Sequence, residues 1–199
     1  MSVVLVDSGG ANIGSVLYAL QRLGVEATLT SDATTIRAAD RVILPGVGAA
    51  APAMARLRAS GLVEVLRGLT QPVLGVCLGM QLLCTHSEEG GVDCLGVIDA
   101  PVLKLDATAG VRVPHMGWNK VTAVAAHPLC AGAAGAGWAY FVHSYAVPLC
   151  KATLATCEHG ARFSAAIGRG NFMGVQYHPE RSAAMGAAIL GNFLGQIAA

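Results

Sequence analysis

The sequence predicts an α/β fold: an open, twisted, mostly parallel sheet flanked by helices, with a smaller antiparallel extension. Three observations carry this expectation. Short apolar, β-rich runs alternate with helical patterns through the first half of the chain, as βαβ units require. Strand-like runs then follow one another directly in the second half, as antiparallel neighbours do. A final uncharged stretch has helical spacing.

The predicted parallel strands are VVLVD (3–7), VEATLT (25–30), RVILP (41–45) and PVLGV (72–76). Between the first two, IGSVLYALQRLG places Val16, Leu17, Leu20 and Leu23 on one helical face and stops at Gly24. APAMARLRASG is the next helix and stops at Gly61. The later strands are WAYFVHSYAV (138–147), KATLATC (151–157), RFSAAIG (162–168) and FMGVQY (172–177). Met185, Ile189, Phe193 and Ile197 recur every four residues and predict a C-terminal helix packed on the sheet.

The 199 residues suit one domain over 1–199. With 54% hydrophobic and 13% charged residues the chain has the composition of a packed core, not of a disordered segment. A net charge of +1 with no basic stripe argues against nucleic acid as a partner. The uncharged stretch 121–150 is broken by prolines and glycines, so no membrane span is expected there. MSVVLVDSGG lacks the basic start of a signal peptide, and its apolar run ends at Asp7. The six cysteines form no C-x-x-C pair. Reduced thiols and a cytoplasmic location follow as expectations.

One cysteine stands apart. Cys77 lies in GVCLG, where a strand passes into a helix with glycines two residues away on either side. That is the pattern of a nucleophile elbow, a cramped turn that exposes a reactive side chain at a helix N-terminus. The amide of Leu78 can then face a developing oxyanion. A base and an orienting carboxylate are needed beside it. YHPE supplies both, as His178 and Glu180, directly after a strand; side chains at i and i+2 of extended chain point the same way. His143, with no carboxylate near it in sequence, is the rival base. PGVGA (45–49) follows a strand and is read as a flexible segment offering the Val47 or Gly48 amide to the same oxyanion, rather than as a dinucleotide loop. GGANIGS (9–15) has phosphate-loop glycines but no lysine. No metal-ligand spacing is present, and no cofactor is expected.

Together, GVCLGMQLL and GVQYHPE resemble the nucleophile and His/Glu segments of the class I, triad-type glutamine amidotransferases. PGVGA, SEEGGVDCLGVI, VPHMGWN and YFVHSYAV narrow the resemblance to the glutaminase subunits of imidazole glycerol phosphate synthase, over essentially the whole chain. The resemblance implies Cys77, His178 and Glu180 as a catalytic triad and glutamine as substrate. It implies an oxyanion site at Val47, Gly48 and Leu78, and glutamine held by Gly48, Gln81, Ser144 and Tyr145. It also implies a heterodimer with a (β/α)8-barrel cyclase subunit that takes up the ammonia. Met116, Trp118 and Arg181, the last standing where lysine is frequent, are the expected partner contacts; HMGWN reads as a low-charge loop carrying large apolar groups. An amidotransferase serving another synthase, a non-catalytic docking subunit of the same fold, and a cysteine peptidase on a related fold are the competing readings.

Overall fold

A computed structural model describes residues 1–9, 13–107, 110–132 and 137–195. Its first half runs β1 (Val3–Val6), α1 (Ile13–Arg22), β2 (Ala27–Thr30), α2 (Ala33–Ala38), β3 (Arg41–Leu44), α3 (Ala50–Ala59), α4 (Leu62–Arg67), β4 (Val73–Val76) and α5 (Leu78–Leu82). The second half holds β5 (His86–Ser87), β6 (Val92–Asp93), β7 (Pro101–Lys104), β8 (His115–Ala123), β9 (Gly137–His143), β10 (Tyr145–Ala146), β11 (Thr153–His159), β12 (Ala161–Arg169), β13 (Phe172–Val175) and α6 (Ala183–Gly195).

Among the described residues these strands form a nine-stranded sheet, in the order β2-β1-β3-β4-β13-β12-β11-β8-β9. From β2 through β13 all neighbours are parallel; from β13 to β9 all are antiparallel. A second sheet, β10-β7-β5-β6, is mostly antiparallel. The predicted class is therefore the observed one, with an antiparallel part larger than expected.

Strands β1, β3, β4 and β13 are buried along their whole length, which is why they read as nearly unbroken apolar runs, whereas the edge strand β2 has no buried residue. Val3 and Leu5 pack with Val16, Leu20, Ile189 and Phe193 under α1 and α6. Val4, Val6 and Leu44 pack with Met54, Leu57 and Leu62 on the other face. Ile189 and Phe193 of the predicted C-terminal stripe are core residues and Met185 is partly buried, whereas Ile197 lies outside the described residues. So does part of the glycine-rich segment 9–15.

Three local expectations are corrected. HMGWN is not a loop: it opens the nine-residue strand β8, paired with β9 from His115↔His143 to Val121↔Gly137. The run 138–147 is two strands, because the chain leaves β9 at His143 and β10 joins the second sheet. The run 172–177 keeps strand geometry only to Val175.

Candidate active site

Strand β4 ends at the elbow. Cys77 takes φ +53° and ψ −109°, and α5 starts at the next residue. An L-residue holds such a conformation only when its surroundings fix it. They do so through glycines. A Cβ on Gly75 would stand 2.6 Å from the backbone of Gly79 and Met80, and one on Gly79 would collide with the Leu44 carbonyl oxygen. A Cβ on Gly46, after β3, would stand 2.9 Å from the Gly79 nitrogen and from Leu78 Cβ. The start of α5 thus rests directly on β3 and β4, and the Cys77 N–H donates to the Val175 carbonyl at 2.8 Å. The helix is only five residues long. Its dipole is correspondingly short, a smaller electrostatic contribution than the sequence suggested.

Strand β13 brings in the partner groups. Beyond it, Pro179–Arg181 form one 3-10 turn. This turn, rather than strand alternation, folds Glu180 back, so that its Oε1 lies 2.8 Å from His178 Nδ1. The Glu180 side chain is fully buried and that of His178 nearly so. The turn is held from outside. The His178 N–H donates to the Tyr140 carbonyl at 2.9 Å, and Ser182 Oγ donates to the His178 carbonyl at 2.6 Å. Gly186 lets α6 touch the turn, since a Cβ there would collide with the Pro179 carbonyl oxygen. Burial pulls the His178 imidazole down. Hydrogen bonds to Cys77 and Glu180, with the charges of both, outweigh burial and push it up to about 10.

Sequence-predicted residues meet here. Val47, Gly48, Cys77, Leu78, Gln81, Ser144, Tyr145 and His178 line one cleft of about 260 Å³. Gly48 takes φ +97°, a region that favours glycine.

The sequence matches the family Glutamine amidotransferase class-I over residues 4–197. This chain belongs to the class-I glutamine amidotransferase family. It is 55% identical over 192 residues to imidazole glycerol phosphate synthase subunit HisH of Xanthomonas axonopodis pv. citri, covering 96% of each chain. It is 56% identical over 197 residues to the subunit of that name from Xylella fastidiosa, covering 99% of this chain and 98% of the other. Among solved structures, one titled simply as a glutamine amidotransferase superposes with a TM-score of 0.74 at 20% identity, with 97% of each chain covered. A glutamine amidotransferase from Thermotoga maritima gives 0.67 at 16% identity, covering 98% of this chain and 83% of that one. These two likenesses establish the shared fold.

The amidotransferase cleft also contains groups that sequence reasoning did not single out. Glu89 lines it, with Oε2 accepting from the Ala50 N–H at 3.0 Å. Its place within the SEEGG segment (87–91) was its only signal. His143, the rival base, lines the cleft too, but both ring nitrogens are engaged: Nδ1 donates to the Tyr145 carbonyl at 2.8 Å, and Nε2 lies 3.0 Å from His115 Nδ1. Burial above all pushes His143 down to about 3 and His115 to about 4, so the pair is neutral near pH 7.

Met116, Trp118 and Arg181 lie outside the cleft, on the amidotransferase surface. Met116 and Trp118 point outward from β8 and are 63% and 51% exposed. Trp118 meets Tyr140 edge-on, with ring centroids 6.1 Å apart, and the Arg181 guanidinium lies 5.3 Å from the centre of the same Tyr140 ring. Trp138, 59% exposed on β9, extends this aromatic face and was missed from the sequence. Among the described residues no helix is long and apolar enough to cross a membrane.

Proposed function

We propose that this amidotransferase is the glutaminase subunit of an imidazole glycerol phosphate synthase, working in the cytoplasm as one domain beside a (β/α)8-barrel cyclase subunit. The observation that supports it best is His178, held in a buried cleft between Cys77 and the Glu180 carboxylate.

The chemistry follows from those groups. Glutamine enters with its α-carboxylate and α-amino groups toward Gly48, Gln81, Ser144 and Tyr145, and the Glu89 carboxylate complements the α-ammonium. His178 takes the thiol proton, and Cys77 Sγ attacks the side-chain amide carbon. The resulting oxyanion is met by the Leu78 amide and an amide of the Val47–Gly48 segment. The C–N bond breaks as the imidazolium gives its proton to the departing nitrogen, which leaves as NH₃. Water, deprotonated by His178, then attacks the γ-glutamyl thioester. The C–S bond breaks, the thiol regains its proton, and glutamate leaves. Glu180 holds the imidazole by Nδ1 and stabilises its charged form through both steps.

The names of the relatives support a component of a larger synthase, and the exposed face of Met116, Trp118 and Arg181 suits a protein partner. There the ammonia would pass through a tunnel to the cyclase. It would be built into imidazole glycerol phosphate, with an aminoimidazole carboxamide ribonucleotide as co-product, in histidine biosynthesis. Glutamate release, measured with and without the cyclase subunit, tests the whole reading. Turnover should rise by orders of magnitude with the nucleotide-loaded partner; equal rates for free and complexed chain would contradict it.

A further inference from the structure

Cys77 Sγ has a neighbour that the mechanism above does not use. Gln176 leaves the end of β13 two residues before His178 and is fully buried. Its Nε2 lies 3.7 Å from Cys77 Sγ, hydrogen-bond range for sulfur. Its Oε1 accepts from Gln81 Nε2 at 3.0 Å, and the same Gln81 nitrogen donates to the Tyr145 carbonyl at 2.9 Å.

The direction of this chain is fixed from its far end. A backbone carbonyl only accepts. The Tyr145 oxygen takes one hydrogen from Gln81 and one from His143 Nδ1, which uses both of its lone pairs. Gln81 must therefore present its NH₂ to Tyr145, and its second N–H is met by the oxygen of Gln176. Gln176 is then left with its NH₂ turned to the sulfur. A reversed amide at either glutamine would set two donors or two acceptors against each other in a buried site, at high cost.

We propose that Gln176 is a catalytic residue of this amidotransferase: its side-chain N–H donates to the Cys77 sulfur, stabilising the thiolate before attack and again as it departs from the thioester. Gln81 is the positioning residue that sets the polarity of the Gln176 amide. A hydrogen bond to an ionised acceptor is stronger than one to a neutral acceptor, so the donor favours the charged form of sulfur. Being neutral, it does so without repelling the His178 imidazolium on the other side. It also supplies what a five-residue helix contributes only weakly. The inference rests on Cys77 as the nucleophile.

The test is the pH dependence of Cys77 alkylation by iodoacetamide, read by mass spectrometry of the Cys77 peptide in the complex with the cyclase subunit. The thiolate forms the new S–C bond and iodide leaves, so the rate follows the thiolate fraction. Gln176→Met keeps the length of the side chain and removes the donor. The profile should move up by about one pH unit, which is about a tenfold slower reaction below the midpoint. Far-UV circular dichroism and cyclase binding should be unchanged. A profile superimposable on that of the unmodified chain overturns the proposal. If Gln176→Met does not fold, Gln81→Met carries the test, because it frees the Gln176 amide to turn. A smaller shift in the same direction is expected, and none at all overturns the proposal. Glutamine hydrolysis by Cys77→Ala separates the two levels: activity there refutes the nucleophile itself. An inactive Cys77→Ala with unshifted Gln176→Met and Gln81→Met profiles refutes only the role of Gln176.

Discussion

Replacing Glu180 by glutamine isolates the charge in the His178–Glu180 pair. The amide oxygen can still accept from Nδ1 at the 2.8 Å separation, so geometry is retained and only the negative charge is lost. His178 stands at about 10 because its bonds to Cys77 and Glu180 outweigh burial. A hydrogen bond to a charged partner contributes about 1.5–3 kcal/mol, and one pH unit corresponds to about 1.4 kcal/mol. Because a neutral hydrogen bond of about 0.5–1.5 kcal/mol remains, losing the charge should bring His178 down by about one unit. The sign follows from the general acid. On the proposed mechanism the imidazolium that gives its proton to the departing nitrogen is lost as pH rises through the His178 value, so the alkaline limb of kcat/KM should move toward neutrality. Stability should respond in parallel. A raised histidine contributes stability that is complete below its ordinary value of 6.5 and is lost as pH rises through about 10. In Glu180→Gln this loss should be smaller and complete at lower pH. The assay is glutamate release by the complex across the alkaline range. Between the two values, where His178 is still charged in the parent but not in the variant, the rate should be lower by up to about tenfold, and at neutral pH, below both, it should change little. An unmoved alkaline limb with an unchanged rate would refute the electrostatic role of Glu180.

Other perturbations follow from the same geometry. Gly79→Ala drives a methyl group into the Leu44 carbonyl and should cost about 3 kcal/mol or more, seen as a lower Tm; a Tm within error of the parent would contradict the close packing of the elbow. His143 and His115 are pushed down to about 3 and 4 in the folded chain from 6.5. Both are neutral when folded, so stability should fall as pH drops from 6.5 toward 4, because the unfolded chain binds the extra protons. His115→Phe should make that acid slope in thermal unfolding shallower by about one proton, and an equal slope would remove His115 from the account. Trp118→Ala should weaken cyclase binding or uncouple the two activities while leaving Tm nearly unchanged, given its exposure. Lower Tm with intact binding would make it a packing residue.

Strands β1, β3 and β4 were legible because strands covered on both faces leave nearly uninterrupted apolar runs, and glycines mark where the helices end. The elbow was legible for a related reason: Gly75 and Gly79 are required by backbone contact, so the sequence cannot hide them. Strand β8 was not legible because its polarity is inverted. Its inward residues include His115 and Asn119, and its outward ones Met116 and Trp118. The interior side is filled by hydrogen-bonded polar rings, His115 stacking on Phe141 and His159. Alternation therefore points the wrong way. Helices α2 and α4, six residues each, are too short to show a period. Strands β5 and β6 have two residues each. Gln176 sits within GVQYHPE without standing out, since nothing in a linear sequence tells which way an amide faces. That direction is set by the Tyr145 carbonyl, distant along the chain and adjacent in space.

The central claim is that Cys77 serves to liberate ammonia that a partner consumes. The most direct test supplies the complex carrying Cys77→Ala with either glutamine or an ammonium salt and measures imidazole glycerol phosphate. No product is expected from glutamine, and product is expected from ammonium, rising with pH at fixed total ammonium because only NH₃ has a free lone pair. Product from glutamine would contradict Cys77 as the nucleophile. No product from ammonium, with the cyclase shown to be folded and bound, would contradict the division of labour between the two subunits.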